Sequence, residues 1–138
     1  MKRKEFLSVL GLGAAAIACG SCLDGCKPLD NIPSAPTNVD FTLNLADPAN
    51  NALKNNGGYQ YNNGIIIART GSGTYVAVSS ACTHAGASVI FDVANNRFYC
   101  PSHGSAFRTD GSVLNGPAGS PLARYNTSLT GNSLRVYS

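Results

Sequence analysis

The sequence predicts an all-β domain, and three observations support this fold class. Short runs rich in Val, Ile, Tyr and Phe recur along the chain, and turns rich in Gly and Asn separate them. Trp is absent while Asn and Gly are abundant, which favours short strands over long helices. The 138 residues leave room for one domain of about 100 residues once a leader and a linker are set aside. We therefore expect a β-sandwich or a β-barrel.

The first segment, residues 1–19, has the pattern of a signal peptide. Basic residues 2–4 precede an apolar run, Phe6–Gly20, which is shorter than the roughly twenty residues that span a bilayer. Residues 3–7 (Arg-Lys-Glu-Phe-Leu) resemble a twin-arginine export signal with Lys in place of the second Arg. An ordinary secretory signal is the alternative. Either signal implies export.

A lipid anchor and a tether are predicted next. Residues 16–19 resemble a bacterial lipobox, in which Cys19 would be acylated and become the mature N-terminus, although Ala-Ile-Ala also fits a plain signal-peptidase site. Residues 20–38 contain Pro, Ser, Asn and Thr and read as a semi-rigid tether. Within it, Cys22 and Cys26 could form a disulfide in an oxidising compartment or remain unpaired. The expected location is the periplasmic face of a bacterial cell envelope, with a lipid anchor.

Strand predictions follow from residue periodicity and turn signals. Residues 39–45 alternate apolar and polar side chains, as a half-buried strand does, and the apolar run 65–69 is typical of a buried strand. The step Asn63-Gly64 predicts a hairpin turn, and the polar residues 47–56 predict a surface loop or a short helical turn. Further strands are predicted at residues 57–61, 74–78, 88–92, 97–99, 106–107, 112–114, 122–128 and 133–137.

The candidate site consists of two motifs, each with one thiol and one imidazole. Cys82 and His84 have the spacing Cys-x-His, and Cys100 and His103 have the spacing Cys-x-x-His. These are the only two His of the chain and the only Cys beyond its N-terminal segment. Two loops that each offer one sulfur and one nitrogen ligand can enclose a metal centre.

Three interpretations of the two motifs remain open at this point. The residues could be unrelated, or they could form a structural Cys2His2 zinc site, or a 2Fe–2S centre in which two His replace two Cys on one iron. Against zinc, Cys and His alternate within each motif, whereas zinc fingers pair Cys with Cys and His with His. Gly86 and Gly104 follow the two His closely, and glycine lets a loop turn tightly around a group that it approaches.

Residues 82–84 (Cys-Thr-His) and 100–105 (Cys-Pro-Ser-His-Gly-Ser) resemble the two cluster-binding loops of the Rieske 2Fe–2S family. This resemblance covers residues 39–138 and implies an antiparallel β-sandwich with a small cluster-binding subdomain of two loops. It implies that the two Cys hold the inner iron and the two His hold the outer iron, near the surface. Residues 115–122, which include Pro117, resemble the proline-containing loop that covers the cluster in this family.

Several positions indicate an exported Rieske type that lacks a disulfide. Ala87 and Ser102 stand where the high-potential members carry two Cys that link the loops. Ser105 stands where a hydroxyl bonds a bridging sulfide, whereas Phe107 replaces a Tyr whose hydroxyl bonds the first cysteine sulfur. Ala85 replaces a Leu that contacts quinol in the cytochrome bc proteins. These departures argue against quinol oxidation.

The resemblance implies an electron carrier without a catalytic site of its own. It would pass one electron at a time between a redox donor and a redox acceptor at the cell envelope. It would act as a free carrier or as the small subunit of a larger oxidoreductase, in the manner of arsenite oxidase. The alternatives are a zinc-stabilised binding module without redox activity and a quinol-oxidising bc-complex subunit. No basic patch with interleaved aromatic residues occurs, so no nucleic-acid partner is expected.

Overall fold

The structure is a computed structural model that describes residues 32–138. The predictions for residues 1–31, among them the signal peptide, Cys19, Cys22 and Cys26, lie outside the described residues. Among residues 32–138, ten strands and one 3-10 helix form, and the helix spans Pro48–Lys54. The strands are β1 Asp40–Asn44, β2 Tyr59–Asn62, β3 Ile65–Arg69, β4 Tyr75–Ser79, β5 Ile90–Asp92, β6 Arg97–Tyr99, β7 Ala106–Arg108, β8 Val113–Asn115, β9 Arg124–Thr130 and β10 Ser133–Tyr137.

The strands form two antiparallel sheets, which confirms the predicted all-β antiparallel architecture. The larger sheet has six strands in the order β1-β10-β9-β4-β3-β2. Its two halves meet where β4 pairs with β9 over only two residue pairs, Ala77 with Tyr125 and Val78 with Arg124. The smaller sheet has four strands in the order β5-β6-β7-β8. Both predicted motifs border this smaller sheet, because one precedes β5 and the other joins β6 to β7.

Strand β3 contributes to two hydrophobic cores because both of its faces are buried. Ile65 and Ile67 pack into one core with residues of β1, β9 and β10, and Ile66 and Ala68 pack into the other. The second core, hereafter the site core, contains Phe98 and residues from both sheets together with both cysteines of the predicted site. Fully burying an Ile side chain contributes about 1.5–3 kcal/mol. The continuous apolar run of β3 therefore anchors the site core on the larger sheet.

The turn between β2 and β3 confirms the hairpin predicted from Asn63-Gly64. Asn62 pairs with Ile65, so the loop has two residues. Asn63 and Gly64 have φ angles of 52° and 80°, as a type I′ turn requires. The φ angle of Asn63 lies in the left-handed region, which Asn tolerates better than most other residues. This turn fixes the register of β3 and so decides which of its side chains enter the site core.

The end of the predicted tether lies against the domain. The Tyr125 hydroxyl donates a hydrogen bond to the Pro36 carbonyl at 2.6 Å. A cavity of about 370 Å³ separates residues 33–36 from residues near the first motif, including Ala81 and Gly86. No helix within residues 32–138 is long and apolar enough to cross a bilayer.

Gly58 offers a test of how the 3-10 helix packs against the larger sheet. A Cβ atom at this position would overlap the Ala52 carbonyl, which belongs to the helix backbone. We expect Gly58→Ala to lower the free energy of unfolding by about 1–3 kcal/mol, because the backbone must move to accept the methyl group. Gly119→Ala is the matched control, since a Cβ there meets no heavy atom within 4 Å. Chemical denaturation of both variants measures the difference, and equal stabilities would contradict this packing.

Candidate metal centre

The two loops that carry the predicted ligands have the same backbone hydrogen bonds. In the first loop, residues 82–87, the Cys82 N–H donates to the Ala87 carbonyl at 2.7 Å and the Gly86 N–H donates to the Cys82 carbonyl at 2.7 Å. The second loop, residues 100–105, repeats both bonds eighteen residues later, at 2.8 and 2.9 Å. The two loops therefore fold as equivalent turns, each beginning at a cysteine.

The two Cys-to-His spacings differ although the two turns are equivalent. Gly86 and Gly104 occupy the same position of the turn, with φ angles of 77° and 83° that favour glycine. The turn residue just before glycine is His103 in the second loop but Ala85 in the first, where the histidine lies one position earlier, at His84. The loop backbones are therefore related by an approximate symmetry that the two histidines do not follow.

The four predicted ligands come together as an inner pair and an outer pair. The Cys82 and Cys100 side chains are fully buried, and both belong to the site core. His84 and His103 are exposed, and their ring centroids lie 4.7 Å apart with an angle of 77° between the ring planes. Each pair takes one member from each loop. Within residues 32–138 no set of three His, Cys, Asp or Glu side chains is placed to hold one metal ion.

Burial sets the electrostatics of the inner pair. Burial raises the pKa of the Cys100 thiol, and a hydrogen bond with the Cys82 thiol raises it further. Backbone N–H groups of Ser102 and His103 act in the opposite direction, because they donate to the Cys100 sulfur and favour the thiolate. The loops themselves contain no Lys, Arg, Asp or Glu. A thiol must lose its proton to bind a metal. In these loops no charged side chain is present to favour the thiolate form.

Residues 115–122 form a third loop that contacts both ligand loops. The Thr83 hydroxyl donates to the Ser120 carbonyl at 2.6 Å, and the Ala118 N–H donates to the Ser105 hydroxyl oxygen at 3.0 Å. The Asn115 side chain donates to a carbonyl of the second loop. Pro117, which the sequence placed over the site, is exposed at the tip of this loop.

A family model for the Rieske [2Fe-2S] domain matches residues 46–126, which is more than half of the chain. The chain belongs to the Rieske [2Fe-2S] domain family. This membership favours the iron–sulfur interpretation of the two motifs over the zinc interpretation, and it identifies the cofactor as a Rieske 2Fe–2S cluster.

Sequence relatives of this Rieske chain include iron-sulfur subunits of cytochrome b6-f complexes. The cytochrome b6-f complex iron-sulfur subunit of Chlorobaculum thiosulfatiphilum is 34% identical over 78 residues, which are 56% of this chain and 43% of the relative. The corresponding subunit of Nostoc punctiforme is 29% identical over an alignment of 153 positions that covers 97% of this chain and 83% of the relative. The match thus spans under half the length of the first of these relatives.

Solved structures confirm the Rieske fold. The cyanobacterial plasma membrane Rieske protein PetC3 from Synechocystis PCC 6803 is 36% identical, with a TM-score of 0.51 over 59% of this chain and 85% of that chain. The ferredoxin of carbazole 1,9a-dioxygenase from Nocardioides aromaticivorans IC177 has a TM-score of 0.53 over 60% of this chain and 86% of its own. At 23% identity, this ferredoxin supports the fold alone.

The residues present fit a Rieske cluster by the chemistry of their donors. Two buried thiols and two exposed imidazoles, each pair shared between the loops, match a centre with two Cys on one iron and two His on the other. Ser105 is fully buried, and its oxygen accepts from Ala118. No protein acceptor for the Ser105 hydroxyl proton occurs among residues 32–138, so this proton is available to a group held between the loops.

Sequence reasoning missed the side chains that join the third loop to the ligand loops. Thr83 was treated only as the spacer of the Cys-x-His motif, and Asn115 only as a loop residue. A polar side chain inside a ligand motif was the available signal for Thr83. Asn115 had no comparable signal, because its partner Gly104 lies eleven residues earlier in the chain. Phe107, by contrast, is fully buried and belongs to the site core, as do both cysteines.

Proposed function

We propose that this Rieske chain is an electron-transfer protein whose cluster is held by Cys82 and Cys100 on the inner iron and by His84 and His103 on the outer iron. One observation carries the proposal, namely the exposed imidazole pair beside a fully buried thiol pair. A bound 2Fe–2S cluster supplies one-electron chemistry, and its neutral imidazole ligands make it easier to reduce than an all-Cys cluster.

The chain's own residues position and shield this centre. The buried thiols keep water away from the inner side, while the exposed rings of His84 and His103 offer an edge through which a partner can exchange an electron. Ser105 is fully buried, and because its oxygen accepts from the Ala118 N–H, its hydroxyl proton remains available as a donor to the cluster. The chain thus binds the cluster, orients it and excludes water from its inner side.

The partners are proposed as redox proteins. A free carrier, or the small subunit of a larger oxidoreductase, fits a Rieske domain with an exposed histidine pair. Among structures of the same fold, a ferredoxin is found in complex with an oxygenase.

The second candidate is a quinol-oxidising subunit of a cytochrome bc-type complex, favoured by relatives that are b6-f complex subunits. Ala87, Ser102 and Ala85 argue against it, because they replace the disulfide and the quinol-contacting Leu of those proteins.

An envelope location is proposed from the N-terminal residues. The basic start, the short apolar run and the lipobox-like residues 16–19 support export and lipid attachment at Cys19. A twin-arginine route would carry a folded domain, which suits a protein whose cluster is inserted before export. The plasma membrane origin of the similar PetC3 protein supports membrane association.

The ligand assignment predicts the metal content of the purified protein. After anaerobic purification, the wild type should hold two irons and two sulfides per chain, and its reduced form should give a rhombic electron paramagnetic resonance signal. His84→Ala and His103→Ala should each abolish that signal, whereas Ser88→Ala, a change at an exposed residue near the first loop, should retain it. Stoichiometric zinc without iron in the wild type would overturn the proposal.

Ser105 and Phe107 predict how the midpoint potential responds to substitution. A hydroxyl that donates toward the cluster favours the more negative reduced state, and about 59 mV corresponds to a tenfold change in the equilibrium constant of a one-electron couple. Ser105→Ala should therefore lower the potential by on the order of 50–100 mV, and Phe107→Tyr should raise it by a similar amount. Voltammetry at one pH measures both shifts.

A matched control separates this effect from a loss of stability. Ser79 is also buried, and its oxygen accepts the Ala123 N–H at 3.0 Å, the same distance as the bond to Ser105. Ser79→Ala should leave the potential unchanged, because Ser79 lies outside both ligand loops. An unmoved potential in Phe107→Tyr with an intact cluster would mean that residue 107 does not face the cluster.

Lipid attachment predicts the location of a Cys19 variant. Cys19→Ala should release the protein from the membrane fraction, because the acylated residue is lost. Fractionation followed by immunoblotting measures this, and Cys22→Ala is the matched control that should stay membrane-bound. Retention of Cys19→Ala at the wild-type level would contradict the lipobox assignment.

A further inference from the structure

The two ligand loops are joined mainly through the third loop. Apart from the contact between the thiols of Cys82 and Cys100, no hydrogen bond joins residues 82–87 directly to residues 100–105 in the part of the chain that the structure describes. Each ligand loop is instead bonded to residues 115–122, hereafter the clamp loop. Among the hydrogen bonds of the described residues, those to the clamp loop therefore connect the two ligand loops indirectly.

Two contacts of the clamp loop involve a residue directly adjacent to a histidine. Thr83 directly precedes His84, and its hydroxyl donates to the Ser120 carbonyl at 2.6 Å. Gly104 directly follows His103, and its carbonyl accepts from the Asn115 side-chain amide at 3.2 Å. The same amide donates to the Gly116 carbonyl at 3.0 Å, so two acceptors fix its orientation.

Both ends of the clamp loop are fixed to the smaller sheet. At its start, Asn115 ends strand β8 and pairs with Ala106. At its end, the Leu122 N–H donates to the Gly111 carbonyl at 2.8 Å. Gly111 has a φ angle of 90°, and a Cβ atom at this position would overlap the Leu122 backbone. A loop held at both ends can transmit a restraint from one ligand loop to the other.

We propose that the clamp loop acts as one brace between the two halves of the cluster site, with Thr83 and Asn115 as the positioning residues for His84 and His103. This inference rests on the proposed function, since it assumes that the two histidines hold the cluster. The brace restrains the histidines from outside the ligand set, through hydrogen bonds to their neighbours in the chain.

The test measures how fast iron leaves the purified, loaded full chain when a strong iron chelator is added. Thr83→Val and Asn115→Ala each remove one contact, and each should speed the release about fivefold, as the loss of one hydrogen bond of about 1 kcal/mol predicts. Among the described residues, Thr83 makes the only hydrogen bond from the first ligand loop to the clamp loop, so Thr83→Val already frees one end of the brace. The double variant should therefore release iron about as fast as Thr83→Val alone. Effects that multiply to about 25-fold would overturn the brace.

Two conservative variants and one matched control exclude a general loss of stability. Thr83→Ser keeps the hydroxyl and should release iron at the wild-type rate. Asn115→Asp keeps nearly the same shape but places a carboxylate opposite two carbonyl oxygens, so it should release iron at least as fast as Asn115→Ala. Asn56→Ala removes a comparable bond from a side-chain amide to the Gly71 carbonyl, at 3.0 Å, and should leave the release rate unchanged.

A spectroscopic measurement supplies a second readout. In Asn115→Ala, the rhombic signal of the reduced cluster should broaden, because His103 would adopt a wider range of orientations. An unchanged signal and an unchanged release rate in Asn115→Ala, with the wild type fully loaded, would overturn the role of Asn115. Failure of the proposed function is a different result, since the wild type itself would then contain no iron–sulfur cluster.

Discussion

The site depends on the burial of two thiols in a hydrophobic core that both sheets share. Cys82 and Cys100 are fully buried, and each begins a turn whose first N–H bonds to a carbonyl five residues later. That bond closes each turn over its own cysteine, so that the histidines, which lie further along, remain at the surface. The larger sheet supports the arrangement through β3, whose residues Ile66 and Ala68 pack into the same core. The thiol pair lies inside and the imidazole pair outside because each turn begins at a buried cysteine and carries its histidine further along.

The approximate symmetry of the loops shows which residues the turn backbone requires and which residues it does not determine. Both loops need a glycine at the same position of the turn, and Gly86 and Gly104 have φ angles within 6° of each other. The histidines occupy different positions of equivalent turns, so turn formation alone does not determine them. Their offset by one residue is better explained by the cluster that we propose they bind. The unequal spacings Cys-x-His and Cys-x-x-His therefore indicate one turn used twice around a centre that is not symmetric.

Local patterns predicted much of this fold, and the contacts that they could not predict are tertiary. The Asn63-Gly64 step specified its turn because few residues other than Asn and Gly accept positive φ at both positions. The apolar run 65–69 predicted a buried strand, although its division between two cores became visible only in the structure. The two motifs predicted the four candidate ligands from residue type and spacing. Asn115 was beyond this reasoning, because an amide in a loop carries no sign of the distant carbonyl that it will meet. The bond of Tyr125 to Pro36, which joins residues 89 positions apart, was equally hidden.

The lack of charge around the site determines which interactions can adjust it. The three loops contain no Lys, Arg, Asp or Glu, and the ion pairs of Arg97 with Asp92 and of Arg135 with Asp40 lie on strands outside these loops. A cluster potential responds to charge, hydrogen bonds and burial. With charge absent from the loops, hydrogen bonds and burial remain as the principal means of adjustment. Ser105 is one such hydrogen-bonding group for the potential, and its oxygen accepts from the Ala118 N–H of the clamp loop. The proposed brace and the proposed adjustment of the potential therefore share one loop.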